Sequence, residues 1–432
     1  MKKYLAQLKI GENQQMVEDF DYYLPQLATI PNPLGEHARN NLDRQLRHMP
    51  QSVRYCTKCV LSNQRPRTEF DSRGVCSACN YREYKETQID WNKRKKDFAS
   101  LLDKYRRSDG SWDVLVPCSG GKDSGTVAHR LKHVYGMNPL CVTWSPLLYT
   151  PLGFQNFQNM TLSGLDSLLC SPERLLQRKI AKLCFVILGD HFDAFSRGQM
   201  GYPFYVALQQ NIKLIMLGEN AELEYGGDSK KWDIPYNPFV DWLNTSYKGA
   251  AFQDVLDFGH THGYLSDLDM KNPSLRWYSL PKVEEFVKAG ITVQWFSWYN
   301  NWNPQENYYY VADNYNFRSL HRRSEGTYSK YASIDDLTDP FHFYLGLIKF
   351  GIGRATSDAA HEIRDGHLTR EEGVALVRRY DDEFPQKHFA TFLKYLDITD
   401  AEFWEVVDAY RSKSSHLWHR VAGQWQLIYQ VS

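Results

Sequence analysis

Two clusters of residues in this chain have types and spacing suited to chemistry. The first is Cys56-x2-Cys59-x16-Cys76-x2-Cys79. Two paired knuckles at such a spacing bring four thiolates into a tetrahedron around one Zn²⁺. Four thiolates leave no open coordination position, so a zinc ion there staples a small ribbon and does not catalyse. An iron–sulfur cluster, which also takes four cysteines, is the rival reading. Disulfides are disfavoured, because eight cysteines in 432 residues do not make a disulfide scaffold. The second cluster is Ser119-Gly120-Gly121-Lys122-Asp123-Ser124, which follows the apolar run Val114-Leu115-Val116-Pro117. It leads into a stretch whose apolar positions Val127, Leu131 and Val134 recur at helical spacing. A strand that delivers a glycine-rich turn onto a helix start makes an anion site, because the free N–H groups and the positive end of the helix dipole face one ligand. Gly120 and Gly121 let the backbone come close, Lys122 adds a point charge, and Ser119 and Ser124 add hydroxyl donors. Asp123 would repel a bare phosphate, so its sensible role is to hold Mg²⁺ beside one. The GxxxxGK[ST] spacing of a Walker A loop is absent.

These residues need a scaffold, and the pattern along the chain predicts one. Short apolar runs recur between helical stretches at Asp113 to Pro117, Pro139 to Trp144, Leu183 to Leu188, Lys213 to Gly218 and Ile291 to Phe296. That alternation predicts a doubly wound parallel α/β sheet. Gly218-Glu219-Asn220 ends one such run, where an open parallel sheet places its ligand crevice. Glu219 and Asn220 are therefore candidates to hold the nucleotide or a substrate amide, a polar loop after a strand being the plain alternative. The charged stretch from Tyr81 to Arg107 reads as a helical connector with Trp91, Phe98, Leu101 and Leu102 as its apolar positions. Between Ser229 and Tyr331 the chain is rich in Trp, Tyr and Asn, including Trp295, Trp298, Trp302 and Tyr308 to Tyr310. Such aromatics can line a sugar site, although packing is their commoner use. The C-terminal third reads as helical, with capping boxes at Thr369/Glu372 and Thr399/Glu402. Lys349 and Arg354 lie near a Gly-rich helix end, suited to a phosphate or a sugar carboxylate, or else part of an exposed basic face. Residues 1 to 50 show no chemistry, and Pro31 to Pro33 divide them into two helical stretches. Cys118, Cys141, Cys170 and Cys184 are isolated and read as small buried hydrophobes.

Composition narrows the function classes. Lys+Arg 51 balances Asp+Glu 51, so the chain as a whole lacks the basic excess that neutralises a nucleic acid's phosphates, a local basic patch being the alternative left open. No run approaches the roughly 18 apolar residues that span a bilayer, and Met1-Lys2-Lys3-Tyr4 leads into no apolar signal core. The expectation is a cytoplasmic protein with no transmembrane segment and no nucleic-acid partner.

Ser119 to Ser124, in its strand–loop–helix context, resembles the PP-loop of ATP pyrophosphatases, a family that cleaves ATP between its α- and β-phosphates and leaves AMP on a substrate oxygen. The resemblance narrows with Cys56-Thr57-Lys58-Cys59-Val60, Arg65-Pro66, Phe70-Asp71 and Gly74 to Cys79. It narrows further with Gly218-Glu219-Asn220, Glu224-Tyr225-Gly226-Gly227, Glu325 to Tyr328, Leu347 to Thr356 and Thr369 to Gly373. Together these are similar to the N-acetyl sugar amidotransferases of surface polysaccharide biosynthesis, over roughly residues 55 to 385. The first fifty residues and the tail beyond 385 stand outside the match.

The resemblance implies an adenine nucleotide α-hydrolase-like sheet (86–335) preceded by an extension (1–50) and a zinc ribbon (51–85), and followed by a helical region (336–432). It implies ATP, Mg²⁺ and a structural Zn²⁺. Ser119 to Ser124 and Gly218 to Asn220 would hold nucleotide, Lys122 and Asp123 would act in catalysis, and Glu224, Tyr225, Lys349 and Arg354 would meet the acceptor. The implied reaction adenylates the carbonyl oxygen of a sugar N-acetyl group, after which ammonia displaces AMP to leave an acetamidino group. The acceptor would be a nucleotide- or lipid-linked N-acetyl sugar. No cysteine stands in a glutaminase arrangement, so a separate glutaminase and its ammonia-channel subunit are expected. The rivals are a tRNA thiolation enzyme of the same loop class and a zinc-ribbon binding module that has lost catalysis.

Overall fold

The computed structural model describes residues 19–30, 33–227, 229–236 and 250–432. Its centre is a five-stranded, wholly parallel sheet. The strands are β1 (Val114–Pro117), β2 (Pro139–Trp144), β3 (Asp166–Cys170), β4 (Leu214–Leu217) and β5 (Thr292–Trp295), in the order β3-β2-β1-β4-β5. The chain winds from β1 out to β3, then returns to the other side of β1 for β4 and β5. The strand order therefore reverses between β1 and β4, and an open α/β sheet opens its ligand crevice at that point.

Alternate residues feed two cores, as strands covered on both faces require. Val114, Val116 and Met216 pack with Val127 and Leu131, while Leu115, Val142 and Ile215 pack with Phe204 and Val206 on the opposite side. The helices that matter below are α1 (Leu34–Arg39), α2 (Ser77–Thr87), α3 (Trp91–Tyr105), α4 (Lys122–His133), α5 (Pro151–Leu162), α6 (Arg174–Leu188), α7 (Asp193–Gln209) and α8 (Ala221–Glu224). After them come α9 (Pro304–Tyr315), α10 (Asp339–Phe350), α11 (Arg354–Arg364), α12 (Arg370–Tyr380), α13 (Phe389–Leu396) and α14 (Asp400–Lys413).

Four of the five expected strands form. The fifth run, Leu183 to Leu188, is instead the last part of α6, whose residues from Ile180 to Leu188 are all buried. A helix enclosed on every side loses its amphipathic stripe and reads like a buried strand. The true edge strand, Asp166–Cys170, is largely exposed and carries little apolar signal. The connector is two helices, with Asp90 capping the second through the N–H groups of Asn92 and Lys93. Val134 is exposed at the end of α4 and is not part of its apolar face.

Both capping boxes form, at Thr369/Glu372 and Thr399/Glu402. The C-terminal region also holds an antiparallel hairpin, Trp418–Val421 with Gln424–Leu427, turned at Ala422 and Gly423, both at positive φ. Of the two helical stretches expected before residue 50, only α1 is present among the described residues. Residues 19–30 carry no helix, and the remainder of the first stretch and Pro31 lie outside the described residues. Segment 19–30 lies along the C-terminal helices: the Leu27 N–H donates to Asp397, and Arg178 donates to the Pro25 carbonyl.

Candidate active site

The glycine-rich loop lies at the C-terminal end of β1, at the switch point. Gly120 has φ +87°, and a Cβ there would sit 2.7 Å from the Phe157 Cα of α5, so only glycine fits this turn. Gly121 is the N-cap of α4, which leaves the N–H groups of Lys122, Asp123 and Ser124 in the unpaired first turn. Lys122 Nζ pairs with the Asp123 carboxylate and lies 5.3 Å from the centre of the Tyr331 ring. Asn307 Nδ2 of α9 donates to Asp123 Oδ1 at 2.9 Å, which fixes that carboxylate.

At the end of β4, the Gly218 carbonyl accepts from the Ser297 N–H at 3.1 Å, and the Asn220 side chain caps α8 through the Glu222 N–H at 3.0 Å. Glu219 lies between these contacts. Burial pushes its carboxyl up to about 7, and the nearby Asp123 charge pushes in the same direction. Ser119 to Ser124, Gly218 to Asn220 and Arg354 all line one cavity of ≈ 790 Å³.

The other predicted acceptor residues, Glu224, Tyr225 and Lys349, are not among those that line the cavity. Glu224 is buried behind the strand end, with Lys85 Nζ of α2 at 2.9 and 3.1 Å. Tyr225 packs beside it, under Arg65 and against His361. Lys349 is buried away from the cavity, its ammonium paired with Asp43 at 2.5 Å and donating to the Leu188 carbonyl at 2.7 Å. It ties α10 to the N-terminal segment and to the end of α6, an internal ion pair and not an exposed basic face. Most of the aromatic segment packs: Trp302 is buried, and Trp298 stacks on Arg94. Trp295 reaches the cavity.

Several cavity residues carry no local signal that marks them as site residues. Asp335 lies against the glycine-rich loop near Ser119, and its carboxyl is pushed up to about 6 by burial and by Asp339. His342, in the first turns of α10, lines the cavity and meets the buried Asp190. Arg65 and Arg67 come from the loop between the cysteine pairs; Arg67 grips Glu222, with Nε at 3.0 and 3.2 Å from its two oxygens. Their Arg-x-Arg spacing was visible, but nothing local said that the knuckle reaches the crevice.

The four cysteines converge. Cys56 and Cys79 Sγ are 3.9 Å apart, Cys59 and Cys76 Sγ are 3.7 Å apart, and all four lie within 4.8 Å of one another. Zn–S bonds of ≈ 2.3 Å place tetrahedral sulfurs about 3.8 Å apart, so the set has the dimensions for one ion. A cluster of several irons holds its thiolates farther apart than a single ion does. Backbone N–H groups of Lys58, Cys59 and Cys76 point at Cys56 Sγ, and that of Leu61 at Cys59 Sγ. Such contacts stabilise thiolates. The knuckle packs on Ala359, Ala360 and Val377, and Arg370 donates to the Cys56 and Cys59 carbonyls.

Fold and cavity together define a doubly wound parallel α/β protein with a glycine-rich loop at its switch point. Residues 325–432 match the family described as LPS biosynthesis protein WbpG-like, C-terminal domain. That span takes in the tail beyond residue 385, which stands outside the motif match. Among solved structures, the chain is similar to an NH3-dependent NAD synthetase from Campylobacter jejuni in complex with the nitrate ion. The identity is 16%, the match covers 47% of this chain and 94% of that one, and the TM-score is 0.27. It is also similar to an NMN synthetase from Francisella tularensis, at 14% identity, covering 54% of this chain and 98% of that one, with a TM-score of 0.25. No curated protein matches the chain. Among the described residues no helix is long and apolar enough to cross a membrane.

Proposed function

We propose that this chain is an ATP-dependent N-acetyl sugar amidotransferase of surface polysaccharide biosynthesis. It adenylates the carbonyl oxygen of a sugar N-acetyl group and replaces that oxygen with ammonia-derived nitrogen. The carrying observation is the meeting of the Ser119 to Ser124 loop and the Glu219–Asn220 strand end in one cavity. At ≈ 790 Å³ it is large enough for a nucleotide with part of a second ligand. The WbpG-like C-terminal domain supports the pathway assignment.

An amide carbonyl is a poor electrophile, and transfer of AMP to its oxygen gives the carbon a good leaving group. The N–H groups of Lys122, Asp123 and Ser124 bind the phosphates, and Lys122 exchanges its Asp123 partner for the charge that develops as the α–β bond breaks. Asp123 and Glu219 are the hard oxygen donors suited to Mg²⁺, whose charge would offset that of the departing pyrophosphate. Ammonia then attacks the activated carbon and AMP leaves, completing the acetamidino group. Ammonia is expected from a separate glutaminase and its channel subunit.

The rival tRNA thiolation enzyme would need tRNA contacts and usually has further catalytic or cluster cysteines, and among the described residues no cysteine lines the cavity. The test is incubation with ATP, Mg²⁺, ammonium and a panel of nucleotide-linked N-acetyl sugars, followed by mass spectrometry. An acetamidino product, lighter than its acceptor by the difference between O and NH, supports the reading, as does its loss in Lys122→Ala. AMP release without such a product across the panel counts against it.

A further inference from the structure

His342 lines the cavity, yet nothing in the loop chemistry above uses it. Its Nδ1 lies 2.9 and 3.0 Å from the two carboxylate oxygens of Asp190, which is only 4% exposed. A carboxylate accepts and does not donate, so Nδ1 carries a proton, and in the neutral imidazole the lone pair is then on Nε2. No described residue hydrogen-bonds Nε2. With Nδ1 turned to a buried carboxylate, the Nε2 edge is the one left for the cavity.

The pair is held on both sides. Asp190 follows Gly189, the left-handed cap of α6, and its Oδ1 accepts from the Phe192 N–H at 3.1 Å. The His342 ring is flanked by Phe192 at 5.1 Å and Phe343 at 5.0 Å. The charged groups around it are Asp190 from the end of α6, Asp339 one turn earlier on α10, and Arg354 of α11, whose guanidinium lies over Phe343. An imidazole fixed by a buried carboxylate, with its second nitrogen open to a ligand cavity, has the arrangement of a general base.

We propose that His342, oriented by Asp190, is the proton acceptor of the amination step. This rests on the amidotransferase reading and adds a catalytic residue to it. As ammonia bonds to the carbon of the protonated O-adenylyl imidate, the C=N pair moves onto the sugar nitrogen and the incoming nitrogen becomes positively charged. One of its protons passes to His342 Nε2. The C–O bond then breaks, AMP departs with the bonding pair, and the new nitrogen's lone pair forms the amidinium. The imidazolium returns its proton to solvent.

The experiment separates the two half-reactions, using the nucleotide-linked N-acetyl sugar on which the wild-type chain turns over. Adenylation is read as acceptor-dependent exchange of labelled pyrophosphate into ATP without ammonium; amination is read as amidino product with ammonium. His342→Ala should still exchange pyrophosphate while losing about 10²- to 10⁴-fold in amination, the usual worth of a general base. Added imidazole should restore part of that loss, which a merely structural histidine would not allow. Asp190→Asn should lower amination and shift its pH profile. Amination at the wild-type rate in His342→Ala overturns the proposal. So does parallel loss of both half-reactions without imidazole rescue. If the wild-type chain itself shows no acceptor-dependent exchange, it is the amidotransferase reading that fails.

Discussion

Replacing Glu219 by glutamine should stabilise the ligand-free protein at high pH and leave it unchanged in acid. The Glu219 carboxyl rises from 4.5 to about 7 on folding, chiefly by burial and then by repulsion from Asp123. The folded state therefore binds this proton more tightly than the unfolded chain, and stability falls as pH rises from about 4.5 to about 7. Above that window the full penalty is present, and at ~1.4 kcal/mol per pKa unit it amounts to about 3 kcal/mol, less what partial exposure screens away. Glutamine cannot ionise and escapes the penalty. The assay is urea unfolding of both proteins from pH 4 to 8.5 in buffer without added divalent cations. The stability difference should be near zero at pH 4 and grow to between 1 and about 3 kcal/mol in favour of glutamine above pH 7. A glutamine variant that is less stable at pH 8, or a difference that does not change with pH, would refute the placing of Glu219 as a desolvated carboxylate beside Asp123.

Gly120→Ala should abolish nucleotide binding and cost about 1–3 kcal/mol of stability, because it combines strain at φ +87° with a backbone collision against α5; thermal unfolding and ATP titration check it. Lys85→Met should cost about 3–5 kcal/mol by leaving Glu224 buried with only His361, at 4.0 Å, beside its carboxylate, while the double variant Lys85→Met/Glu224→Leu recovers most of it in denaturant unfolding. Metal analysis should find one zinc per chain, with Cys59→Ser losing metal and stability while the remaining folded protein still forms AMP; an iron–sulfur absorption band would contradict the single-ion geometry.

The parts legible in the sequence were those written locally. A strand, a glycine turn and a helix start are contiguous, so the Ser119 to Ser124 loop and the Gly218–Asn220 strand end stood out and meet at the switch point. The cysteine spacing likewise encodes its own convergence. Illegible as site residues were those that reach the cavity through long-range packing: Asp335 ahead of α10, Asp339 and His342 in its first turn, and Arg65 and Arg67 from the knuckle loop. Lys349 misled because its position beside a Gly-rich helix end suggested a ligand, whereas its partner, Asp43, lies some three hundred residues earlier in the chain. The run Leu183 to Leu188 misled because total burial erases the periodicity that separates helix from strand.

The central claim is that the loop at the switch point passes AMP to a carbonyl oxygen, which is later lost with it. The direct measurement uses an acceptor whose N-acetyl carbonyl carries ¹⁸O, incubated with ATP, Mg²⁺, ammonium and the chain. Adenylation at that oxygen requires the released AMP to carry the label, with none in pyrophosphate and none retained in the amidino sugar. Unlabelled AMP, or label in inorganic phosphate alongside ADP, would contradict it.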